Sequence, residues 1–244
     1  MEDPACDAPE VISGMGTGRP IVFDLAPTSP FGYRCMRCSR CCHHQRIHLN
    51  PYELVRIARN RGLRTGEVIT RHTVEAGTVL RFDGPEDACG FLGKNGCDIH
   101  PDRPLVCRLY PLGRCVTPTG ETGFTRLSPH PQSEGVFTPP DRLEPGDTVD
   151  RFVRDQGAEP YLRAADRYFD LFRKLRRILE RCARRDPAVG EIELRPKGIG
   201  NWADVDSVVA AHCAEHGQSV PEDAETAIGL HMEAMGRWAD GLLR

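Results

Sequence analysis

The stretch that decides the fold reads Cys35-Met36-Arg37-Cys38-Ser39-Arg40-Cys41-Cys42. It holds four thiols within eight residues, and three of them recur at intervals of three. Cys-x-x-Cys spacing brings two sulfurs together in a turn, where backbone amides between them point inward and stabilise thiolates. Isolated cysteines are commonly buried and inert, but four in so short a run are better explained as ligands. The run therefore predicts a metal site.

Three later cysteines are needed to complete this site. The run matches the first three ligand positions of a bacterial ferredoxin cluster, but the fourth position with its following proline is missing. Gly93-Lys94-Asn95-Gly96 predicts a tight hairpin, because Asn-Gly tolerates positive φ. A short helix is predicted over Pro104–Tyr110, stopped by Pro111. The hairpin carries Cys89 and Cys97, and the short helix carries Cys107. If these two elements fold back onto the run, the predicted metal ligands are Cys35, Cys38, Cys41, Cys42, Cys89, Cys97 and Cys107.

Ligand type alone does not identify the metal, because zinc and iron–sulfur clusters both take four thiolates. Zinc favours paired knuckles, and the wide gap between Cys89 and Cys97 does not form one. A triple run with remote completion favours a [4Fe–4S] cluster, with zinc as the alternative. Cys41 and Cys42 are adjacent, and their side chains diverge in an extended chain. One of them could then serve a second metal, act from outside the ligand shell, or be a reactive thiol.

The stretch from Phe31 to Pro111 resembles the YkgJ-type cysteine-cluster family, also called the CxxCxxCC domain. Four ordered blocks carry the resemblance: Cys35–Cys42, Cys89-Gly90-Phe91-Leu92, Cys97-Asp98-Ile99-His100, and Arg103-Pro104-Leu105-Val106-Cys107-Arg108-Leu109-Tyr110-Pro111. The resemblance implies a zinc- or iron-chelating domain. Because the family includes a flagellin lysine methylase with an iron–sulfur cluster, it also implies a lysine N-methylase-like methyltransferase as an alternative. Some members carry a cysteine in a later loop, where this sequence has only His130.

Composition bounds the class of protein. The chain has 244 residues, 11 cysteines and a formal net charge of -3, which gives no basic excess for nucleic acid. Its start lacks an export signal, and no stretch approaches the ~18 apolar residues of a membrane span. We therefore expect a cytoplasmic protein whose cysteines hold metal rather than disulfides. Its expected partner is a protein or a small-molecule substrate, and neither nucleic acid nor a membrane.

The predicted fold class is α+β and mostly α. An irregular lead-in at 1–30, with a possible short strand over Pro20–Leu25, precedes a small cysteine-rich domain organised by metal over 31–147. That domain is expected to carry short β-hairpins, the second of them around Pro118-Thr119-Gly120, and a loop at 129–146. Asn50-Pro51-Tyr52-Glu53 predicts a capped helix start. Helices are expected over 148–244, packing on the cysteine-rich domain.

Periodicity sets the expected helix faces in the second half. A helix near Pro160–Arg184 is predicted to bury Leu162, Ala165, Phe169, Phe172, Leu175, Ile178 and Leu179. Asn201–His216 is predicted to pack through Val205, Val208, Val209 and Cys213. The last helix, within Pro221–Leu243, carries the stripe Ala224, Ile228, His231, Met235, Trp238 and Leu242. Cys182 and Cys213 are expected to be core thiols and Cys6 idle, whereas Cys115 is ambiguous.

The remaining polar candidates have two interpretations each. His43, His44 and His48 are either ligands or ordinary hydrogen-bonding histidines, and His44 could share a helical face with His48. His100 is expected to pack, His231 to be a satisfied core histidine, and the pair His212/His216 to lie on the surface. Arg103 and Arg108 either offset thiolate charge or form surface ion pairs. Three functions are compared: a redox or docking module, a zinc-stabilised interaction protein and an enzyme. The lack of a recognisable acid–base pair or cofactor loop favours the module, whereas the thiols beyond four favour an enzyme.

Overall fold

The computed structural model describes residues 23–116, 121–185 and 201–241. Within these ranges the predicted class, α+β and mostly α, is confirmed. The helices are α1 (Pro51–Arg61), α2 (Thr65–His72), α3 (Leu105–Leu109), α4 (Val149–Asp155), α5 (Glu159–Arg185), α6 (Val205–His216) and α7 (Ala224–Gly241). The strands are β1 (Tyr33–Arg34), β2 (Thr73–Val74), β3 (Val79–Leu80), β4 (Leu92–Gly93), β5 (Gly96–Cys97), β6 (Leu112–Val116), β7 (Thr122–Arg126) and β8 (Val136–Phe137).

All the strands pair antiparallel and two by two. The predicted first hairpin is confirmed, with Leu92 opposite Cys97 and Gly93 opposite Gly96. Its positive φ of 104° falls on Gly96, a conformation open to glycine because it has no Cβ. The predicted second hairpin is also confirmed as β6 and β7. The suggested strand over Pro20–Leu25 is reduced, in its described part, to a single bridge from Leu25 to Phe124.

A two-stranded ribbon of β1 and β8 was not predicted from the sequence. Tyr33 pairs with Phe137 and Arg34 with Val136, so part of the expected loop at 129–146 is strand. Two-residue strands carry no readable alternation, which is why this pairing left no sequence signal. The ribbon places the segment before Val136 directly beside the cysteine run.

Helix α1 begins as predicted. Asn50 accepts a hydrogen bond from the Glu53 amide at 3.1 Å, and the Glu53 carboxylate accepts one from the Asn50 amide at 2.8 Å. This reciprocal pair satisfies two of the amides that every helix start leaves open. Leu54, Ile57 and Ala58 are buried, as expected.

Two main groups of buried side chains support the cysteine-rich part. The larger group joins Phe31, Tyr52 and Leu109 to α4, α5, α6 and α7. The second lies under α1, α2 and the first hairpin, and includes Ile57 and Phe91. Residues within 31–147 and within 148–244 therefore share the larger hydrophobic core, so the helices act as the platform for the cysteine-rich segments.

The predicted long helix is confirmed as α5, but the face that it buries is rotated. Its buried residues are Tyr161, Ala164, Tyr168 and Leu175, whereas Phe172 is 36% exposed. The two tyrosines reach the interior because their hydroxyls find partners there, Tyr161 with Arg108 and Tyr168 with His231. The side chains of Ile178, Leu179 and Cys182, like Cys6 and Leu242, lie outside the described residues.

The core histidine on α7 was predicted correctly. His231 is fully buried, with the Tyr168 hydroxyl 2.9 Å from Nδ1 and the Trp202 carbonyl accepting from Nε2 at 2.8 Å. His212 was expected on the surface and is instead buried at 5% exposure, because α6 packs against α7 along that side. Cys213 is buried, as expected.

Burial lowers the pKa of His231 to about 4, although the Trp202 carbonyl acts in the opposite direction. Below pH 6.5 His231 becomes protonated in the unfolded chain but stays neutral in the folded chain. The free energy of unfolding therefore falls as the pH drops towards 4. We expect this residue to remove ~2 kcal/mol of the free energy of unfolding between pH 7 and 5.

Urea unfolding of wild type and His231→Gln at both pH values measures the effect. The difference between the two pH dependences is the informative quantity, because burial raises the pKa of Glu53 to about 7 and acts in the opposite direction. Equal pH dependence in both proteins would contradict the assignment.

None of the described helices has the length and apolar character that a membrane crossing requires.

Candidate metal centre

The end of the cysteine run is a tight turn. Residues Arg40–Cys42 form a short 3-10 helix, and the Ser39 carbonyl accepts from the Cys42 amide at 2.9 Å. The expectation of diverging Cys41 and Cys42 side chains is therefore wrong, since it assumed an extended chain. The Cys42 thiol donates to Cys41, and this bond lowers the pKa of Cys41 to about 7 while raising that of Cys42. Cys41 is the thiolate of this pair.

Backbone bonds join the run to the segment that carries Cys89. The Cys89 amide donates to the Cys42 carbonyl at 2.8 Å, and the His44 amide donates to the Asp87 carbonyl at 3.0 Å. His43 and Ala88 form an antiparallel bridge between them. Residues some fifty positions apart are thus held side by side at the thiols, independently of any metal.

Four cysteines share the same local hydrogen bond to sulfur. Each accepts a hydrogen bond from the backbone amide two residues later: Cys35 from Arg37 at 3.4 Å, Cys38 from Arg40, Cys89 from Phe91 and Cys97 from Ile99. Amide donors stabilise negative sulfur, as the ligands of metal sites require. The same geometry appears both in the run and on the hairpin, which identifies the two as halves of one arrangement.

Five thiols from three segments are close enough for their charges to act on one another, and the pKa is raised at four of them. Burial is the main reason that the pKa of Cys107 is raised, followed by the charges of Cys89, Cys41 and Cys97. Burial likewise raises the pKa of Cys89 to about 11, with Cys97 and Cys41 adding to it. Cys42 is affected by Cys107 and Cys89 in the same way. We call Cys41, Cys42, Cys89, Cys97 and Cys107 the thiol cluster.

The thiol cluster is open to solvent, and we call the place that it occupies the recess. Cys41 and Cys107 are both exposed, although neighbouring protein atoms desolvate both thiols. Desolvation is the main reason that the pKa of Cys107 is raised, whereas at Cys41 the hydrogen bond from Cys42 outweighs it. Within the described residues, no three His, Cys, Asp or Glu side chains already stand at chelating distance.

The first two cysteines of the run lie at the edge of the recess. Cys35 is exposed, and Cys38 is covered by the segment before β8. Burial raises the pKa of Cys38, but hydrogen bonds from the Arg40 and Glu134 amides and from the Ser133 side chain outweigh it and lower the pKa overall. Ser133 and Glu134 had no sequence signal, because they lie about ninety-five positions from Cys38 and reach it through the β1–β8 ribbon.

Arg103 is the cation of the recess, whereas Arg108 is part of the scaffold. The charges of Cys107, Cys97 and Cys35 all favour the protonated form of Arg103, against the burial that lowers its pKa. Arg103 also donates to the His100 carbonyl at 2.8 Å and to Gln156 at 2.9 Å. Its side chain is thereby held over the thiols.

Arg108 is 7% exposed, which excludes the surface ion pair that was one of its two interpretations. Its guanidinium stacks 4.1 Å from the centre of the Tyr161 ring and donates to the Tyr161 hydroxyl and to the carbonyls of Pro101, Arg103 and Gln156. These bonds secure the segment before α3 to α5. Of the two arginines that flank Cys107, only Arg103 faces the thiols.

Two tyrosines complete the surroundings of the run. Burial raises the pKa of Tyr33 and of Tyr110, and neighbouring thiol charges add to both shifts: Cys35, Cys38 and Cys41 for Tyr33, and Cys41 and Cys38 for Tyr110. Tyr110 accepts a hydrogen bond from the His130 amide at 2.8 Å. The His130 ring accepts from the Gln132 amide at 3.1 Å, so its Nδ1 is engaged within its own loop.

The histidines after the run bond to protein groups. His43 Nδ1 lies 3.2 Å from the Glu86 carbonyl and His44 Nδ1 lies 3.1 Å from Asp87, which supports the hydrogen-bonding interpretation for both. His44 and His48 share no helix, because this segment is irregular and His48 forms a bridge with Val79. His100 was expected to pack and is instead exposed, with its Nδ1 3.3 Å from Arg103. Cys115 lies on β6, opposite Gly123.

Comparison with known families gives one assignment. Residues 34–127 match the family model CxxCxxCC, described as "Putative zinc- or iron-chelating domain". The match includes all seven predicted ligands and both hairpins. Comparison with curated proteins gave no match, and comparison with solved structures gave none either.

Proposed function

Since residues 34–127 match the CxxCxxCC family model of zinc- or iron-chelating domains, we propose that their thiols hold an iron–sulfur cluster of the [4Fe–4S] type. The observation that carries the proposal is the thiol cluster, in which a turn, a hairpin and a helix bring five cysteines into one recess. The proposed role is transfer of single electrons to or from a protein partner.

The donor set fits such a group. Thiolates are the ligands that iron–sulfur clusters use, and amide-to-sulfur hydrogen bonds are among the features that set their potentials. Cys35, Cys38 and Cys41 would hold one side, and Cys97 would complete the four, because its thiol lies near Cys41 and accepts the Ile99 amide. When bound, the cluster would supply one-electron chemistry. The chain itself supplies the amide donors, the Arg103 cation and a recess that limits water.

Zinc is the second candidate, and one observation favours it. The amide-to-sulfur bonds fall in two pairs, on Cys35 with Cys38 and on Cys89 with Cys97, and two such pairs suit a tetrahedral zinc. The three thiols left over, Cys41, Cys42 and Cys107, favour a cluster instead, because they lie in the recess beside Cys89 and Cys97.

Anaerobic purification of the full chain tests the proposal. We expect a brown protein with broad visible absorption, iron and acid-labile sulfide, and a paramagnetic resonance signal after one-electron reduction. Aerobic handling should bleach it. A colourless protein with stoichiometric zinc would refute the cluster and leave the metal-chelating assignment intact.

Arg103 is expected to set the reduction potential. Reduction adds negative charge to the recess, which the Arg103 cation stabilises. Arg103→Gln should therefore lower the reduction potential by on the order of 50 mV, which corresponds to about 1 kcal/mol of charge interaction. Metal content should be unchanged. Protein-film voltammetry measures the shift, with Arg46→Gln as the control because Arg46 is exposed and pairs with Glu75. Equal potentials for all three proteins would exclude this role.

A further inference from the structure

The rim of the recess carries exposed apolar side chains. Met36 is 49% exposed, Val106 is 46% exposed and Val136 is 61% exposed. Met36 lies within the cysteine run, Val106 precedes Cys107, and Val136 pairs with Arg34 across the ribbon. Single exposed apolar residues are ordinary, but these three come from distant parts of the chain and surround one site.

Arginines alternate with these apolar groups. Arg34, Arg37 and Arg40 are exposed, and in the part of the chain that the structure describes none of them forms an ion pair. Arg37 and Arg103 both contribute positive potential at His100, which places them on the same side of the recess. Many other described arginines are neutralised by carboxylates, for example Arg114 by Asp166 and Arg237 by Glu233.

Four described acids lie near the run, and none of them forms an ion pair with Arg34, Arg37 or Arg40. Glu134 is exposed beside Cys38, and Asp98 follows Cys97 but lies over Gly93 of its own hairpin. Glu86 and Asp87 lie beside His43 and His44 at the far end of the run, and Asp87 pairs with His44. The chain as a whole carries a net charge of -3. A local cationic face on an acidic molecule orients an approaching partner, because the rest of the surface repels the same negative charge.

We propose that this rim, made of Arg34, Met36, Arg37, Arg40, Val106 and Val136, is the docking surface for an acidic protein partner. Arginine and methionine are enriched in protein interfaces, with apolar groups at the centre and charges around them. Nucleic acid is disfavoured because the two tyrosines beside the run, Tyr33 and Tyr110, are half-buried with their hydroxyls bonded to Ser133 and to the His130 amide, whereas the exposed groups between the arginines are aliphatic. The proposal extends the electron-transfer role, since a partner seated here lies directly over the thiols.

The probe is a fluorescein-labelled peptide of about twenty residues made of Glu, Asp and Leu, titrated by anisotropy into the full metal-loaded chain. We expect binding that weakens as salt rises from about 50 to 300 mM. Arg34→Glu/Arg37→Glu should weaken the Kd at least about tenfold. The matched control, Arg61→Glu/Arg64→Glu, reverses two exposed arginines on the α1–α2 connection and should stay within about twofold.

A second pair of variants tests the apolar part. Val136→Ser should weaken binding by about threefold or more, whereas Val220→Ser, at 55% exposure and away from the rim, should leave it unchanged. Absence of peptide binding, equal loss in the control variants, or tighter binding to duplex DNA or phosphatidylglycerol vesicles would overturn the proposal.

Metal analysis of every sample separates this proposal from the cluster proposal. A zinc-loaded protein that binds the peptide through the rim would refute the cluster and support the docking surface. A brown, cluster-loaded protein that does not bind the peptide would refute the docking surface and leave the cluster proposal standing.

Discussion

Replacing Cys97 with serine is expected to abolish stoichiometric metal binding, although the whole run from Cys35 to Cys42 stays intact. Cys97 accepts the Ile99 amide and influences the pKa of Cys89 and Cys107, so it lies within the thiol cluster. A serine hydroxyl is a poor substitute for thiolate toward zinc or iron. We expect metal content to fall by more than about tenfold, since loss of one ligand opens the site.

The stability of the folded domain should fall with the metal. Where metal binds only the folded chain, its binding free energy adds to folding, so several kcal/mol are at stake. Elemental analysis and urea unfolding measure both effects on the same samples. Cys115→Ser is the matched control, because Cys115 is half-buried on β6 rather than in the cluster. If the two variants lose metal equally, or neither does, the cluster does not hold the metal.

Glu53→Ala is expected to cost about 3 kcal/mol or more of folding free energy, more than any other single substitution outside the cysteines discussed here. Glu53 is 3% exposed, and its second oxygen accepts from the Leu105 amide at 2.7 Å. One carboxylate therefore caps two helices, its own α1 and the start of α3. Its removal leaves two buried amides without acceptors and takes a negative charge from the neighbourhood of Arg108.

The chain contains a matched control for this effect. Glu67 makes the same capping contact to the Arg64 amide at 3.0 Å at the start of α2, but its side chain is largely exposed and pairs with Arg71. Glu67→Ala should cost about 1 kcal/mol or less, because water replaces the lost acceptor. Because α3 carries Cys107, only the Glu53 variant should also weaken metal binding. Similar losses in both variants would show that Glu53 is no more than a local cap.

Local signals in the sequence predicted the parts of this molecule that short-range physics determines. The capping box at Asn50 and Glu53, the glycine turn at Gly96 and the helical periods all lie within a few residues, and all are present. The spacing of Cys35, Cys38 and Cys41 likewise identified the run. Contacts between distant segments were not predicted from the sequence. The second contact of Glu53 and the separate roles of Arg103 and Arg108 depend on which segments pack together.

Two of the errors have clear physical causes. Interpreting α5 by hydrophobicity alone favoured Phe169 and Phe172 over Tyr161 and Tyr168, because the buried hydroxyl partners belong to distant elements. The assumption of an extended chain separated Cys41 from Cys42, whereas the turn after Ser39 brings them into contact. In the first case distant partners decided the outcome, and in the second the positive φ of 60° at Ser39 did; a single sequence displays neither.

The β1–β8 ribbon has a consequence for the entropy of assembly. By pairing Tyr33 with Phe137 it closes a loop of about one hundred residues that contains every predicted ligand. Closing a flexible loop of that length costs about 4 kcal/mol, and the cost grows only slowly with length. Once the ribbon has formed, the smaller closures that bring Cys89, Cys97 and Cys107 to the run take place within an already confined chain. The segments that meet at the thiols therefore search a reduced volume, and a few residues that bind no metal themselves lower the entropic cost of its site.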